Sequence, residues 1–126
     1  MSALSTLLAE IVGLLESSGF CKDTQIAETA FFSQDQFFFK IRTTVFSSLS
    51  FQIRIYYNRG HCDYSYQVFR EIPLCRWDNK EHPIQLENFP HHYHSVEGKI
   101  QSSPLQGKPE SDLIMVLAEL KRFFGH

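Results

Sequence analysis

Two short segments hold most of the residues of this sequence that could take part in acid–base, phosphate or metal chemistry. The first reads RWDN at residues 76–79, and the second reads FPHHYH at residues 89–94. With the chain between them they contain the only tryptophan and four of the six histidines. A guanidinium, a carboxylate and several imidazoles gathered in this way predict a working site, for which three interpretations are open.

The first interpretation is a metal site. His92 and His94 stand two residues apart, so their side chains project to the same side of an extended segment. Asp78 or His82 would complete the ligand shell, since imidazole and carboxylate suit Zn²⁺ or another first-row ion. The HxH spacing alone is permissive, and the sequence marks out no clear third ligand.

The second interpretation is metal-independent cleavage of a phosphodiester. Histidine titrates near neutral pH, so one neutral ring can accept the proton of a ribose 2′-hydroxyl while a charged ring donates one to the leaving oxygen. Arg76 would stabilise the extra negative charge on phosphorus through a bidentate contact. Because the 2′-hydroxyl is the nucleophile, this route requires RNA.

The third interpretation involves no chemistry at all. Trp77 would then anchor a core or an interface, and Asp78 and Asn79 would cap a turn through hydrogen bonds to the backbone. The histidines of FPHHYH would simply be packed and hydrogen-bonded. A recognition surface for a protein partner belongs to the same class, because aromatic residues dominate many interfaces.

The hydrophobic spacing predicts the elements that must position these segments. Apolar residues recur every three or four positions between Leu4 and Leu15, as on one stripe of a helix that ends near Ser17. From about Gln25 the period changes to two, which is typical of half-buried strands. The strands are predicted at residues 37–45, 50–58, 62–71 and 72–77, with a turn at 58–60 and a proline weakening the last strand.

The C-terminal part of the sequence combines irregular chain with a second helix. Periodicity is lost after Asn79 and again between about residues 97 and 110. Helical spacing returns from Leu113 to Phe124, between an acidic start and a basic end that suit the helix dipole. We therefore predict an α+β fold, an antiparallel β-sheet with N- and C-terminal helices packed on one face, in a single domain of residues 1–126.

The uncovered face of this sheet is a second functional candidate. Cations interleaved with aromatic rings can hold a phosphate backbone and stack bases. A solvated face stiffened by cross-strand pairs would have a similar composition. The residues that we place on it are Lys40, Arg42, Arg54 and Tyr56, joined from the next strand by Tyr64, Tyr66 and Arg70.

Composition argues against several classes of protein. A formal net charge of −2 lacks the basic excess of proteins that bind long nucleic acids through many phosphates. Three cysteines outside any CxxC spacing predict neither a disulfide framework nor a zinc knuckle. With no signal peptide and no apolar run near the roughly 20 residues that span a bilayer, we expect a cytoplasmic protein without a membrane segment.

In their order and separation, the two segments resemble the signature of the TumE-like family, small toxin components of bacterial and archaeal toxin–antitoxin systems. The resemblance covers most of the chain from about Gln25 onward. Two departures stand out: KEHP follows RWDN, and Tyr93 replaces the lysine that is common in the final histidine run. The resemblance implies a toxin with a neutralising antitoxin partner. The residues that carry it are Arg76, Trp77, Asp78, Asn79, His82, Phe89, Pro90, His91, His92 and His94.

We accordingly expect a toxin that acts on RNA as a metal-independent ribonuclease and needs no cofactor. His92 and His94 are predicted to transfer protons, with His91 as the spare candidate. Arg76 would contact the phosphate and Asp78 would orient a histidine. The alternatives are a non-catalytic protein-interaction module and a metal-dependent nuclease or hydrolase, and a homodimer is left open. The predicted substrate contacts are Arg54, Tyr66, Trp77, Asn79 and His82.

Overall fold

The computed structural model describes residues 2–81 and 86–125. Within them the chain forms two helices and one seven-stranded sheet, whose strands pair antiparallel with their neighbours in chain order. The predicted α+β arrangement is thus confirmed. The elements are α1 (Ala3–Ser17), β1 (Cys21–Ser33), β2 (Gln36–Val45), β3 (Leu49–Asn58), β4 (His61–Phe69), β5 (Pro73–Asp78), β6 (His92–His94), β7 (Ile100–Ser102) and α2 (Pro109–Phe124).

Local sequence explains where the two helices begin. The side chain of Ser2 caps α1 by accepting a hydrogen bond from the backbone N–H of Ser5 at 3.0 Å. Helix α2 starts at Pro109, whose fixed φ and missing N–H suit the first helical turn. The buried carboxylate of Asp112 accepts hydrogen bonds from the backbone N–H groups of residues 106–108. These bonds tie the preceding chain to the helix.

One face of the sheet and the inner stripes of both helices form the core. Burial alternates along β2, β3 and β4, as the pleat of a strand requires. The prediction that both helices pack on one face of the sheet is therefore confirmed. In the described part of the chain, neither helix is long and apolar enough to cross a membrane. The helix residues buried in the core are Ile11, Leu15, Leu113, Val116, Leu117 and Leu120.

The orientation of β4 corrects one of our predictions. We expected Tyr64 and Tyr66 on the open face of the sheet, but they are only 4% and 0% exposed and lie in the core under the helices. The apolar series of β4 starts at Cys62 and continues to Val68, so the intervening polar residues face outward. Arg70 lies beyond the end of the strand.

Three of the seven strands, β1, β6 and β7, are not among the four that we predicted. β6 lies in the segment whose histidines we described only as extended. β1 forms an edge of the sheet and pairs with β2 through a register that shifts at three places, which breaks the alternation of its residues. Most of its residues are also exposed, so no buried series marks it in the sequence. β7 lies in a stretch that we predicted to be irregular, and its three residues are too few to show a period.

The hydroxyl group of Tyr66 leads to a prediction about stability. It is buried and has no hydrogen-bond partner within residues 2–81 and 86–125, a situation that costs about 1–3 kcal/mol. Tyr66→Phe should therefore raise the free energy of unfolding by about 1 kcal/mol, measured by urea denaturation. Tyr64→Phe is the matched control and should lower it, because the Tyr64 hydroxyl lies 2.8 Å from Nδ1 of His91. A Tyr66→Phe protein less stable than wild type would contradict this account of the core.

Candidate functional site

The pairing of β5 with β6 brings the RWDN and FPHHYH segments together. Arg76 lies opposite His94, and Asp78 lies opposite His92. Directly opposite residues of an antiparallel pair project to the same side, with Cβ atoms about 5 Å apart. Their side chains project from the open face of the sheet, opposite the face that α2 covers. We call Arg76, Asp78, His92 and His94 the Asp78 cluster.

The carboxylate of Asp78 is the centre of this cluster. Its Oδ2 accepts a hydrogen bond from Nε of Arg76 at 2.6 Å, and its Oδ1 lies 2.8 Å from Nε2 of His92. The backbone N–H of Lys80 donates to Oδ1 at 3.2 Å, and Nε2 of His94 lies 3.6 Å from Oδ2. Contacts on both oxygens hold the carboxylate in one orientation, so it can position the groups around it.

The hydrogen-bond partners of the two histidines differ. Nδ1 of His92 lies 2.9 Å from the carbonyl oxygen of Pro90, and its Nε2 lies 2.8 Å from the Asp78 carboxylate, so both ring nitrogens face acceptors. Nε2 of His94 lies 3.3 Å from Nη2 of Arg76, a donor, and can accept from it. The cluster thus combines an imidazole placed between two acceptors with an imidazole that faces a donor.

Arg76 and His94 are the more exposed members of the cluster. Their side chains are 39% and 26% exposed, whereas those of Asp78 and His92 are each 7% exposed. The contacts of Arg76 within the cluster use Nε and Nη2, which leaves guanidinium N–H groups for a ligand. Asp78 and His92 are the less exposed pair: Asp78 contacts Arg76 and His94, and the ring of His92 contacts that of His94.

The same cluster contains a set of metal-ligand atoms. One ligand atom each from Asp78, His92 and His94 lie within 4.8 Å of one another. Two imidazoles and a carboxylate suit a first-row ion, and the bond from His92 to a backbone carbonyl is of the kind that orients metal-binding histidines. However, the guanidinium of Arg76 lies against atoms of both Asp78 and His94. A dication in this place would have to displace that positive charge.

A row of paired residues leads from the cluster across the open face. Asp78 pairs with Ser65, Ser65 pairs with Arg54, and Arg54 pairs with Lys40. With strands about 4.8 Å apart, Arg54 lies roughly 10 Å from Asp78. The open face thus continues from the cluster into a cationic surface. Of the residues that we placed there, Lys40, Arg42, Arg54 and Tyr56 lie on it.

Two of the predicted substrate contacts lie on the wrong face for this site. Tyr66 is fully buried, so its predicted contact with a substrate is wrong. Trp77 alternates with the cluster residues of β5 and packs towards α2, where its ring contacts the tilted ring of Tyr93 at a centroid distance of 4.7 Å. His82 lies outside the described residues. Arg54 is the predicted contact that reaches the open face.

Asn79 and His91 have contacts of another kind. The buried side chain of Asn79 accepts from the backbone N–H of Tyr64 and donates to the carbonyl of Cys62, so it extends the pairing of β4 with β5. His91 stacks on the ring of Tyr64 and bonds to its hydroxyl. Because Tyr64 points into the core, His91 lies apart from the Asp78 cluster.

Sequence reasoning missed three components of the site. Ser65 lies opposite Asp78, and the alternation of apolar and polar residues along β4 was a signal that could have placed it there. The backbone groups of Lys80 and Pro90 left no signal, because any residue supplies them. A cysteine nucleophile is disfavoured, since burial raises the pKa of Cys62 to about 12 and that of Cys75 to about 11.

Comparison with known proteins gives one finding. A family model with the description Toxin TumE matches residues 11–124, a range that includes both segments of the site. No curated protein and no solved structure gives a significant match.

The position of Asp78 predicts a large effect of removing its charge. Asp78→Asn leaves the guanidinium of Arg76 without its counter-charge, and breaking such a pair costs about 3 kcal/mol. Urea denaturation measures the loss. Asp63→Asn is the control, because Asp63 pairs with His61 in an exposed position and should change stability by less than about 0.5 kcal/mol. Equal losses in the two variants would mean that Asp78 does not hold the cluster together.

His91 predicts a dependence of stability on pH. Burial lowers the pKa of His91, so the unfolded chain binds a proton more readily than the folded one. The stability that comes from neutral His91 is present above the unfolded pKa of about 6.5 and is lost as the pH falls below it. We expect the unfolding free energy to drop less between pH 7.5 and pH 5 in His91→Gln than in wild type. Parallel pH profiles would rule out this contribution.

Proposed function

The chain belongs to the TumE toxin family, and on this premise we propose that it acts on RNA as a metal-independent ribonuclease. A toxin of a toxin–antitoxin system has a cognate antitoxin as its partner. The observation that carries the proposal is the pair of histidines in the Asp78 cluster, one with both ring nitrogens facing acceptors and one with its Nε2 facing a donor. The chemistry would take place in the cytoplasm, where the cell's RNA is.

In the proposed reaction, Nε2 of His94 accepts the proton of the ribose 2′-hydroxyl. The oxygen attacks phosphorus, the bond from phosphorus to the 5′-oxygen breaks, and His92 donates a proton to that leaving oxygen. The products are a 2′,3′-cyclic phosphate and a 5′-hydroxyl. Catalytic hydrogen bonds often change when the substrate binds. Here Nε2 of His94 must turn from Nη2 of Arg76 to the 2′-hydroxyl. The side chain of His92, which is 7% exposed, must also move outward so that its Nε2–H turns from Asp78 to the leaving oxygen.

Arg76 and Asp78 have supporting roles in this reaction. The exposed N–H groups of Arg76 can donate to the non-bridging oxygens of the phosphate as they gain negative charge. Asp78 holds Arg76 in place through its Oδ2 and orients His92 before the substrate binds. Arg54, further along the open face, would hold a neighbouring phosphate, whereas the ammonium of Lys40 is paired with Glu28 at 3.4 Å.

A metal-dependent nuclease is the second candidate. The convergence of ligand atoms from Asp78, His92 and His94 supports it. The two candidates differ in their products and in their response to chelators. Cleavage that survives EDTA and leaves a cyclic phosphate favours the acid–base route. Cleavage that is lost in EDTA and restored by Zn²⁺ or Mn²⁺ favours the metal route.

The test is cleavage of a purified RNA by wild type and single variants, each co-purified with antitoxin and then separated from it. His94→Ala and His92→Ala should each lower the cleavage rate by about 10²- to 10⁴-fold, the usual contribution of a general acid or base. His126→Ala is the histidine control and should cleave like wild type. Circular dichroism verifies that the variants fold.

Expression in cells links this chemistry to toxicity. Wild type expressed without its antitoxin should arrest growth and produce RNA fragments whose ends can be mapped, and co-expression of the antitoxin should prevent both. If a folded protein lacking both His92 and His94 cleaves RNA as fast as wild type, the assignment of these histidines fails. Growth arrest without any RNA cleavage would refute the ribonuclease proposal while leaving the toxin itself in place.

A further inference from the structure

A shallow cleft of about 170 Å³ lies on the open face beside the Asp78 cluster. Its position follows from strand pairing, because Ser65 on its wall lies opposite both Arg54 and Asp78. The cleft is thus within reach of the nucleotide next to a phosphate held at the cluster. We call it the β2–β4 cleft. Its lining residues are Phe38, Arg54, Tyr56, Asp63, Tyr64 and Ser65.

The walls of the β2–β4 cleft combine aromatic, cationic and acidic groups. Phe38 and Tyr56 pair across β2 and β3, and both rings are half-buried. The guanidinium carbon of Arg54 lies over the Phe38 ring, 5.4 Å from its centre, so the cation covers part of that ring and Tyr56 offers the ring for stacking. Gln36 donates a hydrogen bond to the Tyr56 hydroxyl at 2.7 Å and fixes that side of the wall.

Asp63 gives the cleft its chemical selectivity. It pairs with Tyr56 across β3 and β4, and its side chain is 60% exposed. A carboxylate can only accept hydrogen bonds, so it favours ligands that present amino groups. Adenine, cytosine and guanine carry an amino group on their base-pairing edge, whereas uracil carries carbonyl oxygens beside its single N–H. An acidic group would also repel phosphate, which makes a base the better occupant here.

We propose that the β2–β4 cleft binds the base of a nucleotide adjacent to the cleaved phosphate and selects bases with an exocyclic amino group over uracil. The base stacks on the aromatic wall, Arg54 contacts the neighbouring phosphate, and Asp63 accepts from the amino group. Single-stranded RNA is recognised in this manner on many sheet surfaces, through stacking combined with bonds to the base edge. This inference rests on the proposed action on RNA and adds the residue that reads the base.

The test measures binding separately from cleavage. Fluorescent octamers of uridine, with or without one central A, C or G, are titrated against His94→Ala protein that has been separated from its antitoxin. We expect at least one substituted octamer to bind about tenfold more tightly than the all-uridine octamer. Asp63→Asn, added to the same protein, should abolish this preference because its amide also donates. Asp35→Asn removes an exposed aspartate of the β2 hairpin and is the matched control, which should keep the preference.

A second variant tests the stacking wall. Tyr56→Leu should weaken binding of every octamer by about 5- to 150-fold, the range expected for the loss of one stacking contact. Circular dichroism and the urea midpoint verify the fold of each variant. The proposal is overturned if all octamers bind alike, if none binds, or if the preference survives Asp63→Asn.

The outcomes also separate this proposal from the ribonuclease proposal. If the wild-type protein cleaves RNA without any base preference, the ribonuclease proposal stands and the proposal of a base-selective cleft is refuted. If the protein cleaves no RNA but binds the octamers with a preference that depends on Asp63, the cleft proposal stands and the ribonuclease proposal is refuted.

Discussion

A nearly buried carboxylate with several donors around it holds the candidate site together. Moving a charge out of water is costly unless the charge is paired, and Asp78 is paired with Arg76, His92 and a backbone N–H. The same bonds give each neighbour its orientation. Every part of the site therefore depends on the distance between β5 and β6, which backbone pairing sets. The helices contribute from the opposite face, where α2 covers the residues that alternate with the cluster.

Much of the fold could be predicted because the apolar residues within most of its helices and strands recur at a single regular spacing. The leucines of α1 and the alternating residues of β2 and β3 bury one face, and nothing in these segments interrupts the pattern. β1 could not be found in this way, because its register shifts and its exposure as an edge strand remove the signal. The sides of β4 were assigned wrongly since Tyr64 and Tyr66 were treated as polar aromatics, although their neighbours alternate as a core strand does.

The residues of the candidate site could be predicted from the sequence, but their relative positions could be predicted only in part. Arg76 and Asp78 share a side of one strand, and His92 and His94 share a side of another, which two-residue spacing alone indicates. Whether the two pairs of side chains project to the same face of the sheet depends on the register between β5 and β6. That register is set across a long connection and leaves no trace in the local sequence. The same uncertainty explains Trp77, which lies one residue from the cluster and therefore points to the opposite face. His91 was grouped with its neighbours by type, and only the contact with Tyr64 separates it from them.

The order of the strands along the chain has a consequence for biosynthesis. Arg76 and Asp78 are translated before the connection that follows Asn79, and the histidines of β6 are translated after it. A nascent chain that has not yet reached β6 has neither histidine of the cluster, and Asp78 then lacks part of the pairing that its burial requires. The site therefore cannot form before residue 94, about three-quarters of the way along the chain, has been made. Chains that terminate before β6 would thus lack the proposed acid–base pair.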